Sequence, residues 1–174
     1  MNRVIHPLRR PRPGQQTTGT TQHTTGVVVD PHGAVERTFT MTDFPSLGHI
    51  AVTVTDLERS TQWYTLLFGS KPVLDEDEES GAFHHTVYAL PGGQLFGLHT
   101  HTQPTLGTFD ERRTGLDHVA FTCSGRNELQ SWADRLTELG ISHDGIKDAT
   151  YGSGVSFRDP DGIALEFFAP PGVD

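Results

Sequence analysis

Two histidines open copies of one short pattern. His49 begins "HIAVTV" (49–54) and His118 begins "HVAFTC" (118–123), and each shares a strand face with a following alanine and threonine. Ile50, Val52 and Val54, and likewise Val119, Phe121 and Cys123, alternate onto the other face, the period-two signature of a half-buried strand. A third group, Glu166, stands in "DGIALEFFAP" (161–170) on the face of Ala164 and Phe168. A carboxylate in so apolar a strand is costly unless it is paired, hydrogen-bonded or bound to metal. Two imidazoles and one carboxylate on three strands suit a divalent cation: Fe(II), Mn(II), Zn(II), Co(II) or Ni(II). Three protein ligands leave positions open for water, substrate or dioxygen. Such an ion works as a Lewis acid, chelating vicinal substrate oxygens and stabilising a developing enolate, or binding substrate and dioxygen together.

What positions these residues is an internal repeat. At a single offset of 69, Leu47, His49, Ala51 and Thr53 meet Leu116, His118, Ala120 and Thr122. Trp63 then meets Trp132, Leu67 meets Leu136, Pro91 meets Pro160 and Gly93 meets Gly162, so one register runs from strand to helix to turn. The first helix is expected from a capping box at Thr55 and Glu58, through Leu57, Tyr64 and Leu67, to a stop at Gly69. The second carries Leu129, Trp132, Ala133, Leu136 and Leu139 and stops at Gly140. Strand-like runs follow at 71–75, 82–90 and 94–100, and again at 141–146, 151–158 and 162–168. The expected fold is α+β, a tandem βαβββ duplication with modules at about 47–101 and 115–170 inside a domain spanning 44–172. A pseudo-two-fold would set His49 and His118 across a shared concavity. The offset places Gly97 opposite Glu166, so symmetry's fourth ligand has no side chain.

A chelated substrate needs acid/base partners. The catalytic candidates are His99, which shares a face with Gly97 and could replace the missing ligand, His101 nearer the strand end, and Tyr151. Tyr88 and His85 lie on the preceding strand, and of the adjacent His84 and His85 only one can face a cavity. Blander readings stand beside these. Glu166 could pair with Arg158, and Trp63 and Trp132 read as matched core residues. "DEDEES" (75–80) reads as a solvated hairpin loop, "RDPDG" (158–162) as turn chemistry, Arg112 and Arg113 as a solvated loop, and Cys123 as an inert core thiol.

Composition bounds the function. The 174 residues are 34% apolar and carry a net charge of −9, with about +3 on residues 1–40 and about −12 on the rest. An acidic body argues against nucleic acid as a partner, because that affinity rests on Lys and Arg neutralising phosphates. No apolar run approaches the roughly 18 residues of a membrane span, and one cysteine fits a reducing cytoplasm. Residues 1–43, rich in Thr, Gln, Gly and Pro, read as a disordered extension. Met41 stands just before the ordered part, so translation is expected to begin at or near it and deletion of residues 1–40 to leave stability and activity unchanged; a genuine flexible tail is the alternative.

The segments "LGHIAVTVTDLERSTQWYTLLFG", "GLDHVAFTC" and "YGSGVSFRDPDGIALEFFAP" resemble the vicinal oxygen chelate superfamily of glyoxalase I, bleomycin- and fosfomycin-resistance proteins and extradiol dioxygenases, over about 70% of the chain. The resemblance implies two modules forming a curved, incomplete barrel around a divalent metal, with the family's ligand positions on His49, His118 and Glu166. The family's fourth ligand falls on Gly97, which points away from glyoxalase I-type chemistry and towards extradiol dioxygenases or fosfomycin-modifying transferases. The implied partner is a small-molecule substrate, with modules paired within one chain or exchanged across a homodimer. The alternative is a metal-free protein that sequesters an antibiotic or another small molecule, as bleomycin-resistance members do.

Overall fold

The computed structural model describes residues 45–104 and 107–172; the disordered extension expected over 1–43 lies outside the described residues. The first module runs β1 (His49–Thr53), α1 (Leu57–Phe68), β2 (Leu74–Asp77), β3 (Phe83–Ala89) and β4 (Leu95–His101). The second repeats it with β5 (Val119–Thr122), α2 (Arg126–Glu138), β6 (Lys147–Ala149), β7 (Gly152–Arg158) and β8 (Ala164–Ala169). Each module forms one four-stranded mixed sheet, ordered β1-β4-β3-β2 and β5-β8-β7-β6. In both, the first strand pairs parallel with the last. Ala51 lies opposite Gly97 and Ala120 opposite Glu166, so the offset of 69 holds in three dimensions.

Local chemistry shifts several boundaries. The N-cap of α1 is Asp56, not Thr55; its carboxylate accepts from Arg59 N at 3.0 Å. Thr55 is instead drawn outwards, its backbone N–H donating to Asp161 at 2.9 Å. Gly69, at φ +65°, ends the helix as expected. In the second module Ser124 donates to Glu128 through N–H and hydroxyl, at 2.6 and 2.7 Å. The solvated loop expected over "DEDEES" is in part edge strand, since Asp75–Asp77 pair with β3 and the turn lies at 78–81. No strand forms over 141–146. Gly145 turns the chain at φ +78°, and the His143 ring accepts the Gly145 N–H at 3.2 Å, so the ladder begins only at Lys147.

One apolar core serves both modules. Val52, Tyr64, Leu67, Phe96 and Leu98 from the first join Val119, Leu129, Leu136, Val155, Phe157 and Leu165 from the second. Each such side chain contributes about 1.5–3 kcal/mol when fully buried. Phe121 bridges the two, 5.8 Å from Phe68 and 6.0 Å from Phe96 between ring centroids. Because the apolar faces are committed to this core, the opposite faces turn to solvent: His49, Ala51, Thr53, His118, Ala120 and Thr122 are all exposed. The sheets do not close into a barrel.

The "RDPDG" turn does more than reverse the chain. Asp159 is buried; Oδ1 accepts from Asp161 N at 2.9 Å and Ile163 N at 2.7 Å, while Oδ2 accepts from Tyr64 Oη of α1 at 3.1 Å. Burial lifts both the Asp159 carboxyl and the Tyr64 phenol above their ordinary pKa ranges. Asp161 also receives Arg59 at 2.9 Å, so this turn clasps α1 to the second module.

Candidate functional site

The second module brings two of the three expected ligand side chains together. His118 immediately precedes β5, and its Nε2 lies 3.6 Å from Glu166 Oε2 on the neighbouring β8. Its Nδ1 is 2.6 Å from Asp117 Oδ1. With Nδ1–H donating to Asp117, Nε2 presents its lone pair towards Glu166, the arrangement by which an outer carboxylate orients a metal-binding imidazole. A separation of 3.6 Å suits two donors that each stand about 2.1 Å from one ion. The donor set therefore fits a divalent cation. Arg158, the rival partner for Glu166, is engaged by Glu111 at 2.7 Å, and holds that carboxyl down at about 2.

The first module presents imidazoles and no acid at the matching places. Gly48 stands for Asp117 and Gly97 for Glu166. The space above Gly97 is filled: a Cβ there would sit 3.3 Å from Ala51 Cβ and 3.3 Å from His99 Nε2. The His99 ring leans into that slot, stacked on Phe83 (centroids 4.8 Å apart, 14° between planes) and edge-on to His85 at 5.5 Å. Burial, then the neighbouring His85, His101 and His49, depress the His99 pKa, so this imidazole is neutral at pH 7. His101 Nε2 reaches Thr53 Oγ1 at 3.5 Å.

Thus His118 and Glu166 are brought together, while His49 belongs to the His99 side. Among the described residues no three His, Cys, Asp or Glu side chains gather closely enough to hold an ion. Tyr151 is 73% exposed before β7, stacked over Phe168 at 6.4 Å. Tyr88 leaves the list of acid/base candidates. It is buried on the core face and donates to Thr61 O at 2.9 Å. His84 points off the site face, to Asp75 at 2.7 Å and Asp77 at 2.8 Å. Arg112 folds back on Asp110 at 2.8 Å. Trp132 stacks on Phe167 at 4.4 Å, and Trp63 meets Tyr64 edge-on at 4.8 Å. Burial pushes the Cys123 thiol up to about 11, which keeps it unreactive. Sequence reasoning overlooked Asp117, Gly154 and Phe83. The available signals were an acid directly before His118, and a glycine inside an alternating strand.

The fold defines a class, proteins built of two paired βαβββ modules. The model of the Glyoxalase/Bleomycin resistance protein/Dioxygenase superfamily matches residues 46–167, and the chain belongs to that superfamily. Biphenyl-2,3-diol 1,2-dioxygenase 3 of Rhodococcus globerulus is 31% identical over 150 residues, covering 75% of this chain and 68% of that protein. Putative ring-cleaving dioxygenase MhqA of Bacillus subtilis (strain 168) is 26% identical over 71% of this chain, but the match spans 39% of that protein's length. A crystal structure of a glyoxylase/bleomycin resistance protein/dioxygenase domain from Frankia sp. EAN1pec shares the fold at a TM-score of 0.68 and 29% identity, over 76% of this chain and 96% of that one. No helix among the described residues is long and apolar enough to cross a membrane.

Proposed function

We propose that this chain is a divalent-metal enzyme acting on a small substrate with vicinal oxygens, with extradiol-type ring cleavage as the reaction. The observation that carries the reading is the His118–Glu166 pair, 3.6 Å apart with Asp117 behind the ring. The ion would be held by His118 and Glu166 of one copy and His49 of a second copy, because both histidine-bearing faces point away from the shared core. Bound there, the metal would supply Lewis acidity to paired substrate oxygens. His99, beside His49 and with its pKa depressed, would take the substrate's proton; His101 and Tyr151 are the further acid/base candidates. The two named dioxygenases among its relatives support the choice of reaction.

Subunit complementation tests the whole arrangement. Full-length protein is reconstituted anaerobically with Fe(II) or Mn(II) and assayed by oxygen uptake on catechol. His49→Ala and Glu166→Ala should each be inactive. An equal mixture, refolded together, should regain about one quarter of wild-type activity, since half the dimers are mixed and each keeps one intact site. A mixture as inactive as its parents would sink the two-copy site. A wild type that takes up no metal yet binds aromatic compounds would establish sequestration instead.

A further inference from the structure

Gly154 lies on β7 next to Glu166, in ordinary extended backbone with no positive φ to require a glycine. The need is for space. A Cβ added at Gly154 would collide with Glu166 Oε1 and stand 3.0 Å from Cδ and 3.4 Å from Cγ. The carboxylate lies flat across the bare glycine, and from there its other oxygen faces His118 Nε2 at 3.6 Å. The first module carries the reverse arrangement. His85 occupies the position matching Gly154, and Gly97 the position matching Glu166. Each sheet thus places one bulky group and one glycine at these two sites.

We infer that Gly154 is a positioning residue, whose missing side chain sets the Glu166 carboxylate towards His118. This rests on the proposed metal site and adds to it the residue that fixes one ligand's direction. Alanine suits an extended, half-buried strand position, so Gly154→Ala folds; its methyl group displaces the carboxylate.

The test uses full-length protein and two readouts. In crystals of metal-free wild type and Gly154→Ala, Glu166 should contact the His118 ring in the first and be turned away in the second. Mn(II) affinity, followed by the electron paramagnetic resonance signal of the free ion, should fall at least about tenfold, the usual cost of disturbing a ligand's support. Adding Glu166→Asp, one methylene shorter, to Gly154→Ala should recover at least about threefold of that loss, a coupling expected only between touching residues. An unmoved carboxylate in Gly154→Ala, or Mn(II) affinity equal to wild type, overturns the inference. Should wild type bind no Mn(II), the proposed function fails on its own, and the two crystal structures still decide the role of Gly154.

Discussion

Around each strand histidine the two modules have made opposite choices on one backbone. The second surrounds His118 with Asp117 and Glu166 and clears room with Gly154; the first surrounds His49 with Gly48, Gly97 and the larger His85. Strand order is unchanged between them, and so is the register of β1, β4 and β3 against that of β5, β8 and β7. Only the outer ladder shifts, with β6 starting at Lys147 where the offset from β2 would start it at residue 143. Duplication therefore preserved the frame, and small exchanges of side-chain size separated an acidic half-site from an imidazole-rich one. The difference teaches that the two halves are not interchangeable: one offers carboxylate oxygen, the other imidazole nitrogen and the stacked Phe83–His99 surface.

Breaking this asymmetry should cost most at its acidic end. Glu166→Ala should weaken Mn(II) binding by more than about 100-fold, beyond the 10–100-fold typical of outer partners. Gly97→Ala, its counterpart, should change affinity by less than about threefold, since its neighbours at 3.3 Å need move only slightly. Isothermal titration of both variants decides the matter; equal losses would erase the distinction between halves.

A smaller effect concerns the clasp, which is also one-sided. Leu90 and Gly92 match Asp159 and Asp161, and Ala133 matches Tyr64, so the first module has no equivalent. Tyr64→Phe leaves a buried carboxylate oxygen short of a donor and should destabilise the protein by about 1–3 kcal/mol in urea unfolding. Unchanged stability would mean that water takes the phenol's place.

The smallest effect lies at the outer edge of the first sheet. Hydrogen bonds to Asp75 and then Asp77 raise the His84 pKa, and the His84 bond lowers that of Asp75. The raised histidine stabilises the fold fully below its unfolded pKa, and that contribution fades as pH rises through the folded value. The lowered aspartate acts above its unfolded pKa and fades as pH falls through its folded value. Between those limits the pair adds less than about 1 kcal/mol at such exposure. A proton NMR titration should place the His84 midpoint above an ordinary histidine, and Asp75→Asn should bring it down. The second module's edge has Ser153 in place of His84, donating to Asp148 at 2.6 Å.

Much of the fold was legible because duplication wrote it twice. His49 and His118, Trp63 and Trp132, and Gly93 and Gly162 fix one register that no single strand run could establish. The alternation of Val52 and Val54 against Ala51 and Thr53 identified the core face correctly. Periodicity could not say what the other face meets. Ala51 and Thr53 are small and polar whether they line a concavity within one chain or look outwards. The α1 cap was misread because the competitor for Thr55, Asp161, is 106 residues away. Gly154 went unnoticed for a related reason: its role is a space, visible only once the Glu166 carboxylate is placed.

Asp159 joins two distant elements with a single carboxyl group. One oxygen is tied to α1 through Tyr64, and the other to the backbone leading into β8 through Ile163 N. A tilt of that helix is thereby geared to the strand bearing Glu166, so a disturbance in the first half of the chain would be felt as misalignment at the acid in the second.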